Sequence, residues 1–593
     1  MKAETELLRE AMADAGIDVY LIFTSDPHGS EYIDAHYRFR EYISGFTGSY
    51  GTLLISRKKA ILWTDGRYMI QAGNELKGSG IDYFIIGEEG SITLKDYLRE
   101  HVPSGLTIGL DGDCTCADFM GELEELKDKD FNICLDAGLC ERVFKNRPPL
   151  TTNSIRMLAD DICGRSVKDK LAEIRELIRE NKADGFLASD LNDVMWIFNL
   201  RGSDISCNPV AFSYAYISED KACLFVHEEK LDKKASQLLT MSGIMIMEYD
   251  SVADFFLSLE DKEILADPSR LSMSLYDRIA LHNRIKEIRS HRIVKKHIKN
   301  AGEIGLARKY CVLDSAALVR FIIFIKERVK QSREINEYMA AQYLDALRGQ
   351  IEGFICPSFT TISAYKENAA IVHYAPPKEG SKVLKAEGML LVDSGGQYEG
   401  ATTDVTRTVL LGPISDLEKL HYTIALRSML DLMDAVFLDG LRGENLDIIA
   451  RQPLWQYGLD YRHGTGHGIG AMLSVHEGPQ AIRYKINDKE PQPKLEEGML
   501  TSDEPGIYIE GSHGIRHENE LLCIEKFKNG YGRFLGFTPL TLVPFERDAI
   551  IAQELNAHEK DILNDYHRRV YEGLSPHLND SEKKWLKKAT EEI

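Results

Sequence analysis

The chain has 593 residues, 44% of them hydrophobic and 28% charged, with a formal net charge of −21. That length exceeds what one core supports, so about three domains are expected, and the composition is that of a soluble globular protein. The acidic balance argues against nucleic acid, which needs a basic face, and against an anionic membrane surface; no apolar run approaches the roughly 20 residues of a membrane span.

The N-terminal MKAETELLREAMADAG reads as an amphipathic helix carrying acids, not as a signal peptide. Ten cysteines are scattered without framework spacing, and Cys114-x-Cys116 lacks a second CxxC or a His partner. Free thiols without an export signal imply a reducing cytoplasm. The first 300 residues or so read as a duplicated unit. A helix and the strand VYLIFTSD, ending in Ser25-Asp26, are answered by the helix LAEIRELIRENKA and GFLASD, ending in Ser189-Asp190. Ile55-Ser56 and Ile217-Ser218 then each precede a charged turn and a second apolar strand, which is a hairpin signature. Two α/β domains of similar plan are expected.

From about 284 to 300 the basic stretch RIKEIRSHRIVKKHIKN reads as a helix-forming connector. A third domain follows, opening with GLARKYCVLDSAALVRFIIFIKERV and then EINEYMAAQYLDAL, both helical in period. Ser415-x-x-Glu418 is a capping box for the helix through HYTIALRSMLDLMDAV. GMLLVDSGG with TDVTRTVLL, and EGMLTSDEPGIYI with GIRHENELLCI, read as paired strands, so this domain is α+β. From about 547 the chain reads as helical, with Ile562, Leu563, Tyr566 and Val570 on one face for docking onto the third domain or a second subunit.

Five polar residues of the third domain stand in apolar or glycine-rich surroundings: Asp393, Asp404, His467, Glu504 and Glu518. Buried charge is costly unless paired, and four converging carboxylates repel; a pair of divalent cations removes that repulsion. Strand alternation puts Arg516 and Glu518 on one face and His517 on the other. Glu504 precedes Pro505 at a strand end, where a turn can aim it. In YRHGTGHGIG the glycines 464, 466, 468 and 470 argue for a loop or strand whose backbone can come close to a ligand. Carboxylates with one imidazole suit Mn, Co, Fe or Zn without selecting among them. Two such ions about 3.5–4 Å apart would hold a bridging water and make hydroxide at neutral pH. His373 and His476 are candidates to stabilise the developing oxyanion. No GxSxG, HExxH, P-loop or GxGxxG is present, so covalent, zincin and nucleotide chemistry lack support.

AAIVHYAP, LLVDSGGQY, TTDVTRT, HGTGHGIG, SVHEGP, DEPGIY and GIRHEN resemble the metallopeptidases that include aminopeptidase P, prolidase and methionine aminopeptidase, with their pita-bread catalytic fold. SEYIDAHYRFREYISGFTGSYGT, LWTDGRYMIQA, MWIFNLRGSDISCNPVAFSYAYI and GFTPLTLVPFERDAI extend the resemblance to the three-domain cytosolic Xaa-Pro aminopeptidases, over essentially the whole chain.

The resemblance implies two creatinase-like α/β domains, 1–147 and 148–298, and a pita-bread catalytic domain, 299–593, with a C-terminal helical extension from about 547. It implies release of the N-terminal residue from peptides whose second residue is proline, by attack of a metal-bridging hydroxide, in a cytoplasmic homodimer that uses neither nucleic acid nor membrane. Two metal ions, manganese foremost and cobalt, zinc or iron as alternatives, would be held by Asp393, Asp404, His467, Glu504 and Glu518. Asp404 and Glu518 would bridge, Asp393 would complete one shell, and His467 and Glu504 the other, with Glu504 also relaying the proton. His373 and His476 match residues that bind the peptide and stabilise the transition state. His463 matches a wall of the proline pocket, Arg67 an N-terminal-domain contact to the peptide, and Arg516 joins the substrate-facing set.

An Xaa-Pro bond has no N–H and a fixed φ, so a pocket walled by His373, Tyr374 and His463 could receive the ring. Two departures stand out: His517, where the family has an apolar residue, expected to play a structural part; and the polar, inserted-looking stretch 483–494, expected to be a surface loop at the rim. A prolidase that takes only dipeptides is the alternative, and a non-catalytic binding module a more remote one. Creatinase chemistry, which works without the metal set, is disfavoured.

Overall fold

The computed structural model describes residues 2–135, 138–485 and 492–593. The chain divides into two compact units: Met1–Asp160 with Arg165–Lys295, and Asp161–Gly164 with Lys296–Ile593.

The first unit contains two six-stranded sheets of one plan. In the first, Val19–Phe23 lies antiparallel to Thr52–Ser56 and parallel to Thr107–Leu110. In the second, Gly185–Ala188 lies antiparallel to Tyr214–Ser218 and parallel to Glu263–Ala266. The strand orders correspond position by position, so the duplication legible in the sequence is a duplication of topology. The Ser-Asp pairs have a physical reason. Asp26 Oδ1 accepts from the N–H groups of His28 and Ser30, and Asp190 Oδ1 from those of Asn192 and Asp193, which satisfies the turn as each central strand ends. The helix Val167–Glu180 is capped by Ser166 and buries Leu171, Ile174 and Ile178 at helical spacing.

The connector departs from expectation. Arg284–Glu287 is a strand, not a helix, and lies parallel to Glu263–Ala266 at the sheet edge. Its charges suit an edge strand, and pairing to an existing strand outweighs a weak helical propensity. After one short 3₁₀ helix at Ser290–Arg292, α-helix begins only at Ala301–Lys330, where Asn300 and Glu303 form a capping box.

In the second unit Ile362–Tyr365, Met389–Ser394 and Val405–Leu410 form one antiparallel sheet. Val436–Leu438, Gly532–Pro539, Asn519–Asn529 and Leu500–Asp503 form another. The expected pairing of EGMLTSDEPGIYI with GIRHENELLCI occurs as two ladders, Leu500–Asp503 with Asn519–Leu522 and Gly506–Ile509 with His513–Arg516. Pro505 has no N–H to give a ladder, and the break falls between Asp503↔Asn519 and Gly506↔Arg516. Glu504 and Glu518 therefore both fall in the interruption. The C-terminal helix starts at Ala557, ten residues later than the sequence suggested, because Asn556 and Glu559 form its capping box. Leu563, Tyr566, Val570 and Leu574 are buried in the second unit's main core, with Ile562 partly so.

Candidate metal centre

Asp393 is the penultimate residue of the strand Met389–Ser394, and Asp404 stands just before its partner Val405–Leu410. His467 lies on the two-residue strand Gly466–His467. Backbone crowding explains the glycines. A Cβ on Gly466 would come within 1.9 Å of the Ser502 carbonyl, and one on Gly468 within 2.2 Å of the Glu477 carbonyl.

These elements bring all five residues together. Donor atoms of Asp404, His467 and Glu518 lie within 4.8 Å of one another. His467 Nε2 is 3.6 Å from Asp404 Oδ2 and 3.3 Å from Glu504 Oε1. His467 Nδ1 donates to the Gly468 carbonyl at 3.0 Å, which turns Nε2 toward the acids. Arg516 Nη2 donates to Asp393 Oδ2 at 2.6 Å, while Asp393 Oδ1 is buried with no hydrogen-bond partner among the described residues. Thr406 Oγ1 donates to Glu518 Oε2 at 2.7 Å.

The electrostatics show a cluster short of positive charge. Burial, then the neighbouring Asp393 charge, push the Asp404 carboxyl well above its usual range. Burial, then Asp404, Asp393 and Glu504, do the same to Glu518. Burial raises Asp393 too, against the pull of Arg516. Burial alone would raise Glu504, but its hydrogen bond to His467 and that ring's charge draw it down to about 2. Burial would lower His467, but Glu504 and Asp404 outweigh it and lift the imidazole to about 9. An orphaned carboxylate oxygen, mutually repelling acids and an imidazole aimed among them fit a hard divalent cation.

The other predicted residues distribute around this cluster. His476 stands edge-on to His467, with ring centroids 4.4 Å apart. His463 Nδ1 donates to the Gly464 carbonyl at 2.7 Å, and Tyr508 donates its hydroxyl hydrogen to Nε2 at 2.8 Å. Burial holds the His463 imidazole down at about 4, hence neutral. Arg516 Nη1 donates to the same Tyr508 oxygen at 2.8 Å, and Nη2 also reaches the Val372 carbonyl, beside His373, at 3.4 Å. The Tyr374 hydroxyl is committed to Glu337 at 2.9 Å. Arg67 belongs to the first unit, where it pairs with Asp65 at 2.7 Å and Glu31 at 3.3 Å.

His517 is fully buried on the opposite face, its Nε2 donating to the Tyr422 carbonyl at 3.3 Å. Burial, then Arg407, push it down to about 3. Of the stretch 483–494, residues 486–491 lie outside the described residues, so the expected rim loop is described only at its ends.

Several supporting residues escaped the sequence reading. Glu520 Oε1 accepts the Asp404 backbone N–H at 2.8 Å. Asp314 Oδ2 accepts from Thr403 Oγ1 at 2.8 Å and from Arg348 Nε at 2.8 Å. The alternation that singles out Arg516 and Glu518 extends to Glu520. Asp314 and Tyr508 carry no local signal.

A buried acid cluster on this α+β unit, which follows a duplicated α/β unit in the chain, defines a metallopeptidase architecture: residues 305–525 match metallopeptidase family M24, and the chain belongs to that family. Residues 533–593 match the C-terminal region of peptidase M24, and residues 5–136 and 146–303 each match a Creatinase/Prolidase N-terminal domain. Xaa-Pro aminopeptidase 1 of Dictyostelium discoideum is 38% identical over 98% of this chain and 95% of its own length. A probable Xaa-Pro aminopeptidase P of Coprinopsis cinerea is 36% identical over 99% and 97%. The crystal structure of X-prolyl aminopeptidase from Caenorhabditis elegans, a cytosolic enzyme with a di-nuclear active site, superimposes with a TM-score of 0.95 at 31% identity, covering 100% of this chain and 99% of that one. The fold class expected from the sequence, creatinase-like α/β domains before a pita-bread catalytic domain, is thereby established.

Proposed function

We propose that this chain is an Xaa-Pro aminopeptidase, a metal-dependent exopeptidase that releases the residue preceding proline at a peptide N-terminus. The observation that carries this reading is the Asp404–His467–Glu518 cluster, with both acids buried and the imidazole half-buried, flanked by Asp393 and Glu504, in a chain that matches such enzymes over 98% or more of its length. Those five residues would hold two divalent ions, with Asp404 and Glu518 shared between them. Manganese is the foremost candidate, and the same donors accept cobalt, zinc or iron. When bound, the ions supply an activated water and a Lewis acid for the scissile carbonyl.

The chain's own groups complete the reaction. Glu504 Oε1 takes the proton of the attacking water and passes it to the departing proline nitrogen. His476 and His373 donate to the peptide as charge develops on the carbonyl oxygen. His463, kept neutral by burial and fixed by Tyr508, offers a flat wall to a ring that brings no N–H. Arg516 holds Asp393 in place and joins it to the Tyr508–His463 wall.

The three-part division 1–147, 148–298 and 299–593 belongs to the same proposal, supported by the separate family matches. So does a cytoplasmic homodimer acting on peptides without nucleic acid or membrane. The cytosolic Caenorhabditis elegans relative supports the compartment; among the described residues no helix is long and apolar enough to cross a membrane. The test is hydrolysis of an Xaa-Pro-Yaa tripeptide beside an Xaa-Pro dipeptide, with chelated protein and each metal added back. Tripeptide cleavage restored by metal is the expected result, and turnover confined to the dipeptide would refute it. Sedimentation mass tests the dimer.

A further inference from the structure

Glu477 follows His476 in sequence and forms an ion pair with Lys299. It is 2% exposed, and its partner Lys299 is 3% exposed. Lys299 Nζ donates to Glu477 Oε1 and to the Lys296 carbonyl, the latter at 2.9 Å. Glu477 Oε2 is buried with no hydrogen-bond partner among the described residues. The carboxylate therefore depends on this one ammonium, and a buried charge that loses its partner is strongly unfavourable.

Both ends of the pair are anchored. The Lys299 N–H donates to the Gly498 carbonyl at 3.0 Å, and Ile298 bridges Met499. Gly498 holds φ +93°, and a Cβ there would come within 2.9 Å of the Lys299 carbonyl. The Glu477 N–H donates to the Gly468 carbonyl at 2.8 Å, and the Gly468 N–H to the Gln480 carbonyl at 3.1 Å. The segment after His476 thus lies directly on the backbone of His467–Gly468, and the His476 ring stands 4.4 Å from that of His467.

We infer that Lys299 and Glu477 are positioning residues for His476: their buried ion pair fixes the turn that aims this imidazole at the reacting peptide. The inference rests on the function proposed above. A pair that served stability alone would leave the same burial, so the test must isolate His476.

Tripeptide kinetics are measured for wild type, Lys299→Met, His476→Ala and the double variant, each saturated with metal. Misplacing one reacting group costs about 100-fold in turnover. Lys299→Met is therefore expected to lower kcat by about that factor, with KM within about threefold, and to lower it by less than about threefold in the His476→Ala background, since residues acting as a unit are not additive. A second readout needs no turnover. In metal-free protein, diethylpyrocarbonate modification of the His476 peptide, followed by mass spectrometry, rises in Lys299→Met relative to wild type while the His373 peptide is unchanged. Equal losses of kcat in both backgrounds, or unaltered His476 reactivity, would overturn the inference. If Lys299→Met yields no folded protein, Glu477→Gln, which keeps the hydrogen bond and removes the charge, is read the same way. Wild type that fails to cleave the tripeptide would sink the proposed function, and the modification comparison would still judge the positioning.

Discussion

Replacing Asp404 by Asn separates the two things its carboxylate does. It is 4% exposed, and its donor atom lies within 4.8 Å of those of His467 and Glu518. Two unit charges at that separation repel by about 3.5 kcal/mol at an effective dielectric constant near 20. In chelated protein the substitution removes this repulsion and the cost of burying the charge, which together outweigh the lost attraction to His467 at 3.6 Å, while keeping the side chain's shape. The metal-free variant should therefore melt above metal-free wild type, by up to about 3 kcal/mol of unfolding free energy. Adding metal reverses the order. Wild type gains about 2.7 kcal/mol at 100 times its dissociation constant, whereas the variant lacks a carboxylate proposed to be shared by both ions and gains less. Turnover should vanish with the fold intact. Scanning fluorimetry with chelator and with metal, beside tripeptide hydrolysis, reads all three effects. Chelated variant that melts below chelated wild type would refute the repulsion argument, and near-normal activity in metal-supplemented buffer would refute the dinuclear site.

Other consequences can be checked in the same assays. Tyr508→Phe removes the hydroxyl that joins Arg516 to His463, so KM for an Xaa-Pro-Yaa peptide should rise about tenfold at unchanged metal content, a loss of about 1.4 kcal/mol; an unaltered KM speaks against the pocket wall. Arg516→Lys keeps the charge but loses the fork that spans Asp393 and Tyr508, and should cost at least about tenfold in kcat/KM; wild-type kinetics would show that the fork is dispensable. His373→Ala should lower turnover with the circular dichroism spectrum preserved, and an unfolded variant would instead make this a core histidine. His567 is buried, accepts the Phe545 N–H at 3.2 Å, and is pushed down to about 3 by burial and then by Arg407. Its contribution to stability is present above the unfolded value near 6.5 and is lost as pH falls, about 2 kcal/mol by pH 5. His567→Gln, which can still accept that N–H, should flatten acid unfolding between those values, and an unchanged acid limb would contradict it.

Much of this protein is determined locally, by spacing and side-chain chemistry. The Ser-Asp strand endings announced a duplicated α/β plan, because an aspartate beyond a strand satisfies its own turn. Alternation put Arg516 and Glu518 on one face and sent His517 to the other, where it is fully buried. Closely spaced glycines announced a close approach beside His467, but that neighbouring backbone makes it, and not a ligand, is set by the fold. Acids in apolar sequence announced a centre that needs cations. Partner and register, in contrast, come only from contacts between distant segments. Nothing near Asp393 in sequence indicates that Arg516 neutralises it, or that Glu520 grips the backbone of Asp404. Nothing in a basic stretch at 284 says that a neighbouring strand will take it into a sheet. The pairing of Lys299 with Glu477 likewise spans 178 residues. Periodicity and capping act over a few residues and are written in the chain, whereas a buried charge is stabilised by whichever group the fold carries to it.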